Sequence, residues 1–379
     1  MRSRRIAFLI VALLFMANGF GQPQKAEAAI EEIMKQVPTA GISVVVVKKD
    51  KLVYAQSFGK KDMELNTPLT NDCLFRIASI SKSFSATSIM QLVEAGKLSL
   101  DDDVSTHIGF RVRNPRFPET VITLRNLMSH RSSLNDSQGY FTLDAINPDK
   151  NANWAACYNS YEPGKGYMYC NLNYNIIGTI IEKISGERFD QYVKHHILDP
   201  LGLYGGYCVD SLDKSRFATI YEYRTDSAKF IASPGAYAPR SEEIARYVMG
   251  YSTPIFSPTG GMKISATDLA KYMVMHMQMG KANRKRIMSK KSARAMQTPL
   301  SAEDGYGLAI TQTSKLIPGK TMTGHTGSAY GLYSAMFFNR KGKFGIVVIS
   351  NGCHPGSTEG FNTLIRQTTN SLYEHIVVK

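Results

Sequence analysis

The sequence predicts an α+β fold: an antiparallel sheet flanked by helices, with a mostly helical domain inserted into it. Three observations predict it. Strand-like runs occur near both ends of the chain, at Gly41 to Phe58 and at Gly307 to Ser350. Between about Asp101 and Pro254 the strand signals fade, and helical segments alternate with Asn-, Pro- and Gly-rich loops. The chain has 379 residues, of which 43% are apolar, enough for one large or two modest cores.

The elements follow in order. A helix is expected from Ala29 to Gln36. Gly41 to Lys48 and Leu52 to Phe58 read as two strands, and Lys49-Asp50-Lys51 turns between them as a hairpin. A helix from about Ser79 to Ala95 carries Phe84, Ile89, Leu92 and Val93, and Gly96 stops it. Helical pieces follow at Leu124 to Ser129, Asn173 to Ile184 and Phe189 to Ile197. Ser265 reads as an N-cap with Asp268 at the third helical position, opening a helix to about Met279. Strands return at Gly307 to Thr313, Ala335 to Phe338 and Phe344 to Ser350, and a helix over Gly360 to Ile376 closes the chain. The resulting division is 29–105 with 255–379 as an α/β domain, and 106–254 as a mostly helical domain.

Residues 1–28 read as a secretory signal peptide. Arg2, Arg4 and Arg5 form a positive start, and Ile6 to Met16 is an unbroken apolar run. That run is too short for a bilayer, which needs about 20 residues. Ala26-Glu27-Ala28 supplies a small-residue cleavage site, and Ala17-Asn18-Gly19 a second one. The expectation is therefore a periplasmic or secreted protein with no transmembrane helix in its mature part; an uncleaved anchor is the competing reading.

The formal charge is +14. Removing Arg2, Arg4, Arg5 and Lys25 against Glu27 leaves +11. For an exported chain this suits cell-wall polymers or an anionic membrane surface better than nucleic acid. Lys281 to Lys291 is the one basic cluster, and it reads as a solvated helix face or loop. Five cysteines are present, and their pairing is not readable from sequence. Cys157 with Cys170 is the favoured pair.

Ser-x-x-Lys occurs three times, at Ser57, Ser79 and Ser211. Ser57 lies on a strand, where residues three apart face opposite ways. Ser211 sits in a polar loop. Ser79 opens a helix, and Lys82 follows on the same face. Free N–H groups at a helix start can bind a developing oxyanion. A serine hydroxyl needs a base, and Lys82 serves only if desolvation keeps it neutral. The bland reading is an N-cap serine and an exposed lysine.

Two unique segments add to this. Tyr169-Cys170-Asn171 sits in a loop just before a helix. A tyrosine near Lys82 shares its proton load, and an asparagine holds a substrate amide. His325-Thr326-Gly327, followed by Ser328, is expected on a strand. Gly327 permits close approach of a substrate, the Ser328 N–H offers a second oxyanion donor, and His325 relays protons or binds a carboxylate when charged.

Phe75-Arg76-Ile77-Ala78-Ser79-Ile80-Ser81-Lys82, Tyr169-Cys170-Asn171 and His325-Thr326-Gly327 together resemble the three motifs of penicillin-recognising serine enzymes. The branch is similar to class C β-lactamases, D-alanyl-D-alanine carboxypeptidases and related esterases. Leu124 to His130, Ile197 to Leu203 and Gly260-Gly261-Met262-Lys263-Ile264-Ser265 extend the likeness over about residues 35 to 375. The resemblance implies the β-lactamase/D,D-peptidase-like fold and the following roles. Ser79 would be acylated, with Lys82 and Tyr169 shuttling protons. Asn171, His325, Thr326 and Gly327 would bind substrate, and the N–H groups of Ser79 and Ser328 would form the oxyanion hole. Histidine instead of lysine at 325 looks more like carboxypeptidases and some esterases than class C β-lactamases. Arg131-Ser132-Ser133 stands where Thr-Ser-Gly is more usual, a change of turn.

Other chemistries have little support. There is no Gly-x-Ser-x-Gly elbow, no His-Glu-x-x-His, no paired Cys-x-x-Cys and no phosphate-binding glycine loop. His195 and His196 are adjacent and are expected to diverge as structural residues. No cofactor or metal is expected. The expected activity is an exported acyl-serine hydrolase acting on amide or ester bonds, D-alanyl peptides of the cell wall first. A β-lactamase or promiscuous esterase, and a non-catalytic penicillin-binding sensor, are the alternatives. The substrate is small and peptide-like or an ester; oligomeric state is not legible.

Overall fold

The computed structural model describes residues 21–378. Helix α1 (21–36) precedes strands β1 (Thr39–Lys48), β2 (Lys51–Asp62), β3 (Thr67–Pro68) and β4 (Phe75–Arg76), then helix α2 (Ser81–Glu94). The middle of the chain holds α3 (Ser105–Ile108), α4 (Leu124–Met128), α5 (Leu172–Ser185), α6 (Phe189–Val193) and α7 (Asp199–Leu201). After these come β5 (Gly205–Gly206), the hairpin β6 (Tyr221–Arg224) and β7 (Lys229–Ala232), and α8 (Ser241–Ala245). The return runs through β8 (Lys263–Ile264), α9 (Ala266–Met277), the ribbon β9 (Lys281–Ala282) and β10 (Lys285–Arg286), and α10 (Lys290–Gln297). It ends on β11 (Thr311–Ile317), β12 (Lys320–Ala329), β13 (Leu332–Asn339), β14 (Phe344–Cys353), β15 (Ser357–Thr358), β16 (Phe361–Asn362) and α11 (Thr363–Leu372).

Both chain ends build one seven-stranded antiparallel sheet in the order β11-β12-β13-β14-β1-β2-β3. Lys49 and Asp50 both have positive φ, which joins β1 to β2 in the turn that strand twist favours. Val44 to Val47 are all buried, a run that fits a strand covered on both faces. Val44 and Val46 pack with Ile30 of α1 and with Leu364, Ile365 and Leu372 of α11. Val45 and Val47 point the other way, into the larger core with Met273 and Met277 of α9. The sheet is thus flanked by helices on both faces, as the sequence predicts.

Helix α2 runs through the centre of the molecule. Residues Ser81 to Met90 are all buried, although six of the ten are polar. Each hydroxyl finds a partner: Ser83 donates to the Ile80 carbonyl at 2.8 Å, Ser85 to the Pro258 carbonyl at 2.9 Å and Ser88 to the Phe84 carbonyl at 3.1 Å. Small hydroxyl residues satisfied in this way can be buried at little cost.

Several expectations are corrected. Ser79 does not cap the long helix: it lies in a 3-10 turn, Ala78–Ile80, ahead of α2. Helix α1 starts upstream of Ala29 and buries Ala26, so Ala26-Glu27-Ala28 lies within it. The arginines, the apolar run and Ala17-Asn18-Gly19 of the expected signal peptide lie outside the described residues. The sheet strand after Gly307 begins only at Thr311, because Gly307 to Ile310 make an irregular turn. The β6–β7 hairpin was expected as loop. All five cysteines are free thiols. Cys157 and Cys170 are not paired, since their sulfurs donate to the Ala145 carbonyl and to Asp136 respectively. His195 and His196 do not diverge: a π-turn over Lys194–Leu198 lets both reach the two oxygens of Glu187, at 3.2 and 2.7 Å. The Ser265 cap is as expected, its hydroxyl accepting from Asp268 N.

Candidate active site

The site begins with a strained turn. β4 is pinned by pairing with β8, and Ile77 N donates to the Met262 carbonyl at 3.0 Å. Ala78 then adopts φ +46, a conformation that a residue with a Cβ rarely takes. This bend turns the chain from β4 into the Ser79 turn. Strand β12 lies against it. A Cβ on Gly327 would sit 2.2 Å from the Ile77 carbonyl oxygen and 2.5 Å from Ser334 Oγ. Only glycine lets the strand edge come this close. Gly327→Ala is expected to push β12 away, costing about 1–3 kcal/mol in stability and lowering the acylation rate; thermal melting and single-turnover kinetics check both.

Lys82 follows one turn later, fully buried. Its Nζ donates to Ser79 Oγ at 3.0 Å, to Asn171 Oδ1 at 2.9 Å and to the Thr259 carbonyl at 2.9 Å. It also lies 4.8 Å from the centre of the Tyr169 ring. Burial pushes its pKa down to about 7, against the opposing pull of Asp136. With its pKa at about 7 the amine is roughly half neutral at pH 7, and in that form its lone pair accepts from the Ser79 hydroxyl. The bland reading, an exposed lysine, does not hold.

Asn171 is oriented from behind. Asp136 accepts from Asn171 N at 2.8 Å, from Asn171 Nδ2 at 2.9 Å and from Leu172 N at 3.0 Å. The amide nitrogen faces the carboxylate, so Oδ1 faces Lys82 and the Thr259 hydroxyl. Asp136 also supplies negative charge at the start of α5. The Tyr169 hydroxyl is buried without a hydrogen-bond partner. Burial pushes its pKa up, and the adjacent Ser79 only partly opposes this, so it stays a neutral phenol. Its ring lies 4.1 Å from that of buried His130. His130 Nδ1 accepts from Cys170 N at 3.1 Å, which fixes the loop carrying Tyr169.

His325 is buried on β12. Its Nδ1 faces the Thr326 carbonyl and so donates to it, and Nε2 then accepts from the Tyr306 hydroxyl at 2.9 Å. Burial, and next Lys82, lower its pKa to about 4. It is therefore neutral with both nitrogens engaged, which goes against the charged, carboxylate-binding alternative of the two roles expected for it. Ser79, Tyr169, Asn171, His325, Thr326, Gly327 and Ser328 all line one cleft of about 600 Å³. The structure thus brings the predicted residues together, with Lys82 just behind the wall.

Asp136, Thr259, Tyr306 and His130 were not singled out. His130 and the Gly260-Gly261 run beside Thr259 lay at the ends of matched segments. Asp136 and Tyr306 gave no signal, because the contacts that matter are made from loops distant in sequence. Among the described residues no group of His, Cys, Asp and Glu is placed to hold a metal ion.

The β-lactamase family model matches residues 26–370. The chain belongs to the β-lactamase family. It has the β-lactamase fold. Within this family it is similar to Penicillin-binding protein 4* of Bacillus subtilis, 33% identical over 172 residues, which is 42% of this chain and 36% of that protein. The match therefore spans little more than a third of that relative's length. Among solved structures it resembles the octameric penicillin-binding protein homologue from Pyrococcus abyssi, with a TM-score of 0.71 and 27% identity over 93% of this chain and 78% of the other. D-amino acid amidase from Ochrobactrum anthropi SV3 shares the β-lactamase-family fold, with a TM-score of 0.72 and 19% identity over 93% and 99% of the two chains.

The electrostatics set a pH profile. Neutral Lys82 is the basic form, so kcat/KM should rise with pH through about 7 and then level. His325 is already neutral above about 4, and His130 is pushed well below its ordinary value by burial, so no second limb is expected between pH 5 and 9. A pH–rate series on an ester substrate measures this.

Proposed function

We propose that this chain is an exported acyl-serine hydrolase whose preferred substrates are peptide-like amides of the D-alanyl type. One observation carries the reading: the buried Lys82 amine, 3.0 Å from Ser79 Oγ, is depressed to about 7. Ser79 Oγ attacks the carbonyl carbon and its proton passes to Lys82 Nζ. The oxyanion is held by the N–H groups of Ser79 and Ser328. Collapse breaks the bond to the leaving group, which takes a proton relayed from Lys82 through the neutral Tyr169 phenol. Water then cleaves the acyl-serine by the same path in reverse. Asn171 holds the acyl-side amide, and Thr326 and Gly327 line the leaving-group side. The cleft lies between a sheet lobe, 29–105 with 255–379, and a helical lobe, 106–254. Export rests on the N-terminal arginines and apolar run; no described helix is long and apolar enough to cross a membrane.

A second reading, esterase, is favoured by one observation. His325 is uncharged with both nitrogens engaged, so the leaving-group end offers no side-chain cation for a terminal carboxylate. Rates on a D-Ala-D-Ala peptide, a nitrophenyl ester and nitrocefin rank the readings. Release of D-alanine, lost in Ser79→Ala, supports the first. Ester turnover alone supports the second, nitrocefin turnover alone a β-lactamase. An adduct that never turns over points to a sensor.

A further inference from the structure

The cleft wall holds an unpaired cation. Arg76, on β4, is the one lining residue among those described that carries a permanent charge, and none of the lining residues is acidic. Its Nε donates to the Gly260 carbonyl at 2.9 Å, and Nη2 reaches Ser257 Oγ only at 3.5 Å. Nη1 donates to no acceptor among the described residues, and no carboxylate lies within ion-pair distance. The guanidinium sits 5.1 Å from the centre of the Tyr330 ring, at the turn after β12. Burial disfavours its charge, with no carboxylate to compensate. A second cation nearby, Lys263, is buried and donates to the Tyr207 carbonyl at 2.6 Å. Arg240, by contrast, is paired with Glu243 at 2.8 Å.

A partly desolvated guanidinium without a counter-ion is costly for a fold to keep. Its position suggests what would offset that cost. β12 lines the cleft from His325 to Ala329, a span of about 13 Å at about 3.3 Å per residue, and Tyr330 stands in the turn just beyond it. His325 and Thr326 stand at one end and Tyr330 with Arg76 at the other. Gly260 and Thr259 join the Arg76 end to Asn171; with Asn171 holding the acyl-side amide as proposed above, Arg76 falls on the side of the acyl group. A carboxylate docking there meets a planar donor fork, which suits bidentate binding.

Building on the hydrolase reading above, we infer that Arg76 is a specificity-determining residue that selects substrates whose acyl portion ends in a carboxylate, with Tyr330 covering the pair. The anion sits at the opposite end of the cleft from His325. The bland alternative is that Arg76 merely clamps the Ser257–Gly260 loop, in which case its loss slows all substrates alike.

The test uses two nitrophenyl esters with the same leaving group. One is the mono-ester of glutaric acid, whose acyl chain ends in a carboxylate. The other is its neutral methyl-ester counterpart. Wild type is expected to favour the acid in kcat/KM by at least about tenfold at low salt, with the preference shrinking as salt rises. The preference should fall to about one in Arg76→Gln and recover in part in Arg76→Lys. Because the readout is a ratio, loss of folded enzyme does not mimic it, and the wild-type ratio stands by itself if the variant is unstable. Equal rates on both esters in wild type, or a preference that survives Arg76→Gln, overturns the inference while leaving the hydrolase reading intact. If neither ester acylates Ser79, the hydrolase reading falls and this inference falls with it.

Discussion

Replacing Lys82 with methionine is expected to lower kcat/KM by roughly 10³-fold or more while leaving the fold at least as stable at pH 7. The two effects share a cause. Keeping a lysine at about 7 instead of its ordinary 10.5 costs about 5 kcal/mol, at 1.36 kcal/mol per pH unit. Methionine has a similar length and no charge to desolvate. Against this, the Thr259 carbonyl loses its donor, an offset of about 1–3 kcal/mol; Asn171 Oδ1 keeps the Thr259 hydroxyl.

The sign of the pH dependence follows. Below about 7 the lysine is protonated in both states, and the folded protein bears the full desolvation cost. Between about 7 and 10.5 the unfolded chain still binds a proton that the folded chain has released. Wild-type stability therefore rises over that window. The advantage of Lys82→Met should be greatest at pH 6 and fade towards pH 10, read as the difference in melting temperature. A variant that melts well below wild type at pH 6 would mean that the lysine is not held in a penalised, buried state.

Asp136→Asn has the second large effect. The carboxylate accepts four donors: Asn171 N, Asn171 Nδ2, Leu172 N and the Cys170 thiol. A carboxamide offers a single acceptor oxygen and turns its own N–H groups towards donors. With hydrogen bonds to a charged group worth about 1.5–3 kcal/mol each, a loss of about 3 kcal/mol is expected. Asn171 would no longer be fixed, and displacement by about 1 Å can cost up to about 10²-fold in rate. The pH profile should also move. Asp136 favours the charged form of Lys82, so its neutralisation lowers the lysine further and shifts the rising limb to more acid pH. A merely structural role for Asp136 would lower the rate without that shift.

Much of this was legible in the sequence because it is local. Gly41 to Lys48 and Leu52 to Phe58 announced the β1–β2 hairpin, and Ser265 with Asp268 announced the start of α9. The site motifs were legible for a different reason: glycine and the residue types around Ser79, Tyr169 and His325 are tied to backbone positions that nothing else fills, as at Gly327. The rest depended on long-range contacts. Helix periodicity does not reveal that Ser79 sits in a 3-10 turn, which is set by β4 pairing with β8, some 190 residues away in the chain. The β6–β7 hairpin has only four residues per strand, half of them exposed, too short for a clear signal. Whether His325 relays protons or binds a carboxylate when charged was open in the sequence, because its burial and the hydroxyl of Tyr306 are properties of the assembled cleft. The two histidines on Glu187 met only because the helix widened into a π-turn.

The most direct measurement is the intact mass of the purified protein after incubation with a fluorophosphonate or benzylpenicillin. One adduct per chain is expected on wild type, mapping to the peptide that contains Ser79, and none on Ser79→Ala. An unmodified wild type, or the same adduct on both proteins, would contradict the nucleophile assignment.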